Sequence, residues 1–400
     1  MPPETSFVFI LFLVFVGAAL AAALALFARQ ALIIGYIAVG VLLGPWGLAW
    51  VNDTDLIADM SEVGIIFLLF LLGLNLTPQK LLVLLRQTTV VTLLTSVIFC
   101  LAGWGTARAF GFPWVEALLI GVATMFSSTI IGIKLLPTTV LHHKHTGEVI
   151  ISVLLLQDLI AIGVLLTLQG LNPAAPDPGA DMLGTNPLWD VARVLVGLPL
   201  LAAVAWALER WVLLPLFKRF DRVTEFVFLL TIAWCLGIAE LGHALGLSYE
   251  IGAFIAGIIV ASSPISLFIA ESLKPLRDFF LVLFFFALGA SLNLELAGSA
   301  WMPALALAAV MLALKPVVFR FALGRVAETP RLAWETGWRL GQMSEFALLI
   351  TYVAMQSPVI GDAVVFTIQL ATIITFVGST TLIVLRYPTP VSPSERLRRD

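Results

Sequence analysis

Asp158 lies in the apolar stretch Ser152-Val153-Leu154-Leu155-Leu156-Gln157-Asp158-Leu159-Ile160-Ala161, about ten residues into its run and close to the middle. A carboxylate supplies hard oxygen ligands to a cation and can hold a proton instead, so cation and proton would compete for one site. Its plainer use is to pack against a basic partner. Lys315 is similarly placed, in Ala313-Leu314-Lys315-Pro316-Val317. It can pair with a carboxylate, neutralise the negative end of a half-helix, or extend its chain toward the end of its own helix. Arg320 is nearer that end and reads as extended. Two further runs are interrupted by polar residues: one by Ser127, Ser128 and Thr129, the other by Gly341, Gln342, Ser344 and Glu345. A broken helix exposes half-helix termini and free carbonyls, which bind cations or orient polar side chains. Ser and Thr also serve as ordinary hydrogen-bonding groups between helices. Glu345 fits either the site or the neutralisation of a helix dipole.

The elements that must carry these groups follow from composition. The chain has 400 residues, 60% hydrophobic and 12% charged, with a mean hydropathy of +1.05. Soluble domains run about 45–50% apolar and about 25% charged. That excludes an ordinary soluble enzyme, a secreted disulfide scaffold and a disordered protein, and leaves an all-α polytopic membrane protein. The runs are continuous rather than alternating, which argues against a β-barrel. No basic domain points to nucleic acid. Cys100 and Cys235 sit in apolar runs and read as small packing residues.

A bilayer core about 30 Å thick needs roughly 20 apolar residues per helix. About thirteen runs qualify, near 6–27, 31–49, 60–76, 87–109, 114–135, 148–168, 190–214, 223–242, 247–263, 276–293, 301–321, 335–356 and 361–386. The first lacks a basic leader and a cleavage-like site, so it reads as a retained helix. Counting thirteen spans places sixteen of the 22 Lys and Arg on one side, with only Arg108 and Arg193 opposite. The positive-inside rule then puts the N-terminus outside and the C-terminus in the cytoplasm. One transmembrane domain, residues 1–386, is followed by a cytoplasmic tail, 387–400. Glu62, Glu116, Glu148, Glu225, Glu250 and Asp278 read as helix-start charges. His142, His143 and His145 with Lys144 form a cytoplasmic loop cluster, open to pH sensing or plain solvation.

The chain also repeats itself. Ile34-Gly35-Tyr36-Ile37-Ala38-Val39-Gly40-Val41 echoes Ile251-Gly252-Ala253-Phe254-Ile255-Ala256-Gly257-Ile258. Phe70-Leu71-Leu72-Gly73 echoes Phe286-Ala287-Leu288-Gly289, and Met125-Phe126-Ser127-Ser128 echoes Met343-Ser344-Glu345-Phe346. Spans 2–6 and 9–13 would start on opposite sides and so form two inverted five-helix repeats, with substrate at the midplane between broken helices. Glycines at this spacing also simply allow close packing.

Gly35-Tyr36 through Gly44-Pro45-Trp46-Gly47-Leu48, Phe67–Leu74, Leu155-Leu156-Gln157-Asp158, Gly252–Gly257, Phe284–Gly289 and Ser344-Glu345-Phe346 together resemble the monovalent cation:proton antiporter-2 family, in its order and over nearly the whole chain. The Gln-Asp pair is similar to that of the membrane domain of glutathione-gated potassium efflux (Kef-type) members. The resemblance implies the sodium/proton antiporter-like fold with crossed discontinuous helices, and a homodimer in membrane lipid. The dimerisation part would be about 6–76 and 223–293, the core part about 87–168 and 301–386, and the linker helix about 190–214. It implies a secondary antiporter, not an enzyme, with no tightly bound cofactor and with K⁺ or Na⁺ and H⁺ as transported ions. Asp158, Gln157, Ser127, Ser128 and Thr129 would form the ion and proton site, Asp158 holding the monovalent cation, with Lys315 and Glu345 as supporting charges. Gln157 stands where electrogenic relatives carry a second Asp, and Lys315 matches the lysine that pairs with it there. With Gln at 157 that ion pair is absent, which implies electroneutral exchange. Kef-type relatives continue into a cytosolic nucleotide- and glutathione-binding domain, and this chain stops at Asp400 without it. The implied location is the bacterial inner membrane.

Two other classes fit less well. A ligand-gated potassium efflux channel would need a filter, and no Thr-Val-Gly-Tyr-Gly sequence occurs. An intramembrane aspartyl protease needs two carboxylates at depth, and the Gly-Asp dipeptide Gly361-Asp362 falls in an outside loop.

Overall fold

A computed structural model describes residues 7–28, 30–75, 78–136, 145–171, 187–220, 223–245, 247, 249–263, 266–326, 328–355 and 360–389. Among these the chain is helical, without a β-strand. The helices are α1 (Phe7–Phe27), α2 (Leu32–Leu43), α3 (Thr54–Asn75), α4 (Pro78–Ala109), α5 (Trp114–Thr124), α6 (Thr129–Lys134), α7 (His145–Leu171) and α8 (Pro187–Leu208). There follow α9 (Leu214–Phe220), α10 (Thr224–Ala244), α11 (Tyr249–Ala261), α12 (Ser266–Ser272), α13 (Lys274–Ala290), α14 (Ala297–Arg325), α15 (Pro330–Arg339), α16 (Glu345–Met355) and α17 (Asp362–Arg386). Among the described residues six helical stretches are long and apolar enough to cross a bilayer alone: Phe7–Phe27, Thr88–Ala109, Val196–Phe220, Thr224–Ala244, Ala300–Arg325 and Asp362–Arg386.

Several local expectations change. Gly44-Pro45 ends α2 at Leu43, since proline disfavours helix in the residue before it; the chain then folds back, with Leu48 N–H on Leu42 O at 2.7 Å. The third run begins earlier than its apolar residues indicate, because Asp53 caps it, accepting from Leu56 N–H at 2.9 Å. Glu62 therefore sits well inside α3 rather than at its start. Asp278 lies a turn into α13 and is exposed beside Arg277 at 2.9 Å. The seventh run passes from α8 to α9 through a π-helical turn at Glu209–Leu213, and the short α12 was not anticipated. His142, His143 and Lys144 lie outside the described residues, as do the tail beyond 389 and the side chains of His145, Glu148, Arg193 and Glu250.

The chain divides into two compact units. One comprises Met1–Asn52, Val83–Leu165 and Leu288–Asp400; the other Asp53–Leu82 and Leu166–Ala287. In the first, α1 and α2 meet where a Cβ on Gly35 would come within 2.9 Å of Ala21 backbone. Gly289 likewise presses on α2, where a Cβ would run into Ile37 O and lie 3.0 Å from Val41 N. In the second unit, a Cβ on Gly252 would lie 2.6 Å from Ala239 Cα, and one on Gly73 would lie 2.5 Å from Phe254 O and 3.0 Å from Ile258 N. Absence of a side chain at each point lets the backbones touch. The site helices are set by a buried cluster in the first unit: Phe99, Leu136, Ile150, Val153, Leu154, Phe319 and Leu340.

Candidate functional site

Both polar interruptions are breaks in helices. α5 stops at Thr124, residues 126–128 are not helical, and α6 begins at Thr129. α15 stops at Arg339, and α16 begins at Glu345. Each second half-helix starts on a serine cap: Ser128 Oγ accepts from Ile131 N–H at 3.1 Å, and Ser344 Oγ accepts from Phe346 N–H at 3.1 Å. The two breaks are joined directly. Ser127 Oγ donates to Leu340 O at 2.8 Å, and Gln342 Nε2 donates to Ser128 O at 3.4 Å.

α7 presents Gln157 and Asp158, both fully buried, to the first break. The Gln157 amide uses both of its ends on backbone. Its Oε1 accepts from Ser127 N–H at 3.0 Å and its Nε2 donates to Met125 O at 3.3 Å. Asp158 accepts from the Thr129 hydroxyl, at 3.1 Å on Oδ1 and 3.0 Å on Oδ2, at the first residue of α6. Partial positive charge at that helix end favours the carboxylate. Glu345, the first residue of α16, is a second buried acid at the breaks.

Lys315, from α14, is fully buried, which excludes the extended pose. Its Nζ donates to Phe126 O at 2.6 Å and to Gln342 O at 2.9 Å, with Ser127 Oγ at 3.4 Å and the Phe99 ring centroid at 5.2 Å. These carbonyls follow the C-terminal ends of α5 and α15, where helix dipoles are negative. Lys315 therefore clamps the two breaks together. α15 reaches it closely because Gly337 has no side chain; a Cβ there would lie 2.7 Å from Pro316 O.

All seven residues expected at the site thus lie at or beside the two breaks. Sequence reasoning missed their supports. On α17, Ser379 Oγ donates to Gln342 Oε1 at 2.8 Å and Thr375 Oγ1 accepts from Met343 N–H at 3.0 Å. Arg339, fully buried at the end of α15, was not anticipated at all. The Ser and Thr run on α17 was the available signal for the first two; a charge at the end of an amphipathic helix gave none for Arg339.

The comparisons with known proteins follow the same line. The family described as sodium/hydrogen exchanger, transmembrane, matches residues 4–387. The iron transporter MagA of Paramagnetospirillum magneticum AMB-1 is 28% identical over 327 residues, 80% of this chain and 72% of MagA. A structure of the sodium proton antiporter MjNhaP1 from Methanocaldococcus jannaschii at pH 8 superposes with a TM-score of 0.59 at 17% identity, covering 94% of this chain and 95% of that one. An electron-microscopy structure of the same antiporter gives 0.61 at 16% identity, covering 96% of each chain. At such identity the likeness speaks for the fold. The family match covers nearly the whole chain, and so the chain belongs to the sodium/hydrogen exchanger family, a secondary transporter rather than an enzyme.

Proposed function

We propose that the protein exchanges a monovalent cation, Na⁺ or K⁺, for H⁺ by alternating access in an electroneutral cycle, with Asp158 holding cation and proton in turn. The observation that carries this is a fully buried carboxylate that accepts from the Thr129 hydroxyl at the start of a half-helix, beside two breaks bridged by a buried lysine. A bare carboxylate crosses a low-dielectric barrier at high cost; the protonated or cation-bound group is locally neutral and crosses more cheaply. That difference couples the two fluxes. Gln157 is neutral and fixed to backbone at both ends, and Lys315 is engaged with carbonyls, so Asp158 is the charge whose ligand changes.

The repeat supports the same reading. Gly289 presses on Ile37 O and Val41 N, Gly73 on Phe254 O and Ile258 N, and each target is 217 residues from its counterpart. Matching contacts made by matching glycines fit two inverted copies within thirteen spans, with the site between their broken helices. In this scheme residues 87–168 and 301–386 form the moving core. Residues 6–76 and 223–293 form the dimerisation part of a homodimer in the bacterial inner membrane, with the C-terminus cytoplasmic.

MagA is named for iron. Carboxylate and hydroxyl oxygens suit alkali cations better than a transition metal, which favours imidazole or thiolate. Among the described residues no group of three His, Cys, Asp or Glu gathers as a metal site.

The test is dissipation of a pH gradient in proteoliposomes with Na⁺, K⁺, Li⁺ or Fe²⁺ outside, with and without an imposed membrane potential. The expected result is exchange with an alkali cation, insensitive to potential and abolished by Asp158→Asn. Exchange retained in that variant removes Asp158 from the mechanism; acceleration by potential removes electroneutrality.

A further inference from the structure

Arg339 is the largest fully buried side chain among the described residues and plays no part in the ion site described above. Its guanidinium is shared among three places. Nε donates to Glu335 Oε1 at 3.1 Å, with Nη2 at 3.0 Å from the same oxygen, one turn back on α15. Nη1 donates to Leu135 O at 3.0 Å, just past the end of α6. Nη2 donates to Pro388 O at 2.9 Å, in the segment that follows α17. The Tyr387 ring lies under the guanidinium, its centroid 5.6 Å from Cζ, and Thr389 is buried. Burial pushes the Tyr387 phenol above its ordinary value, with the Arg386 charge pulling the other way, so the ring is neutral. A planar fork of five donors can hold these acceptors at once; a lysine ammonium on one flexible stem cannot.

Both ends of this arrangement reach the ion site through short, stiff paths. The residue after Arg339 is Leu340, whose carbonyl accepts from Ser127. Only the planar Arg339–Leu340 peptide and the Leu340 φ and ψ torsions separate Arg339 from that carbonyl, so the path for a backbone shift is one residue long. The second path is α6. Its six residues span about 9 Å at 1.5 Å each. Its last turn is held by Arg339 through Leu135 O, and its first residue, Thr129, donates to Asp158. Displacing one end of so short a rod moves the other.

We infer that Arg339 is a positioning residue that couples the Tyr387–Thr389 segment to the cation site, through Leu340 on one side and α6 on the other. The inference rests on the proposed role of Asp158. Binding at Asp158 must then alter how tightly the segment is held, and release of the segment must alter binding, because coupling between two sites is reciprocal.

The experiment uses the full chain in proteoliposomes, with Cys100→Ala and Cys235→Ala as background. Three quantities are read: the apparent affinity and the maximal rate for Na⁺ and K⁺, and the maleimide labelling rate of Thr389→Cys with and without about 100 mM of each cation, the saturating range for millimolar sites. Arg339→Gln and Arg339→Lys are expected to change apparent cation affinity by about two- to thirtyfold, the usual span for coupling residues. Neither variant should change the amount of folded protein on size exclusion by the same factor. Ser127→Ala combined with Arg339→Gln is expected to fall short of the product of the single effects. In the parent, labelling of Thr389→Cys should respond to cation, and Arg339→Gln should speed it and abolish the response. Loss of folded protein with unchanged affinity in the remainder, or labelling indifferent to cation in the parent, overturns the inference. A parent that binds cation at Asp158 but exchanges no protons sinks the transport reading alone, and the labelling response then still decides the coupling.

Discussion

The most informative perturbation is Lys315→Met, which keeps the length of the side chain and removes its charge and donors. Lys315 makes two charge-assisted hydrogen bonds, to Phe126 O at 2.6 Å and Gln342 O at 2.9 Å. Bonds of this kind contribute about 1.5–3 kcal/mol each in soluble proteins, so about 3–6 kcal/mol together. Interhelical bonds measured inside a membrane average only about 0.6 kcal/mol, which sets a floor near 1 kcal/mol. The larger figure is the better guide, because both carbonyls lose a charged donor at half-helix ends. Thermal unfolding in detergent, followed by the fluorescence of the 11 tryptophans, reads the cost. The same assay separates a clamp from an ion pair. Were the main partner of Lys315 the Asp158 carboxylate, neutralising that acid would relieve the stranded charge, and Asp158→Asn would restore stability to Lys315→Met. The clamp predicts no restoration. Wild-type unfolding behaviour in Lys315→Met, or full rescue in the double variant, refutes it.

Thr129→Val keeps the shape of the side chain and deletes the hydroxyl that bonds both Asp158 oxygens. A bond to a charged group of about 1.5–3 kcal/mol corresponds to a tenfold or greater loss of apparent cation affinity, read from the cation dependence of exchange, and an unchanged value breaks the link between α6 and the site. Gly337→Ala puts a Cβ 2.7 Å from Pro316 O, forcing α15 off α14. The expected cost is about 1–3 kcal/mol in the unfolding assay, whereas Gly237→Ala, with no atom within 4 Å, should be neutral or slightly stabilising.

What the sequence made legible and what it hid follow one physical rule. Asp158 and the Ser127-Ser128-Thr129 break stood out because polar groups in an apolar run are costly and so carry information wherever they occur. The glycines of the repeat stood out because their spacing matched between copies, and the structure gives that spacing a use in backbone contact. The partners of Lys315 were hidden: they are carbonyls, which every residue has, so only the fold selects Phe126 and Gln342. Arg339 was hidden for the opposite reason. It ends a helix whose composition is amphipathic and whose other charges are the exposed Arg331 and the partly buried Glu335, and nothing local marks it as the fully buried member. Glu62 was misplaced because the start of α3 is set by Asp53, outside the apolar run, rather than by hydrophobicity.

The charges around the breaks sort by helix polarity. Two half-helices end at the crossing, α5 and α15, and the carbonyls just beyond them share one lysine. Two begin there, α6 and α16, and carry acids: Asp158 bonded to the first residue of α6, Glu345 as the first residue of α16. Every terminus is thus met by the sign it favours, and a broken helix at membrane depth becomes tolerable. The three charges that meet these four termini are not equal in function, however. The lysine is held by two short hydrogen bonds and cannot leave without stranding two carbonyls. Among the described residues Asp158 accepts from one hydroxyl, shared between its two oxygens, which leaves most of its acceptor sites for another ligand. A proton or a cation can therefore be added to Asp158 without dismantling the crossing. The same addition at Lys315 has no counterpart, so the proposed exchange site is the one the fold binds least completely.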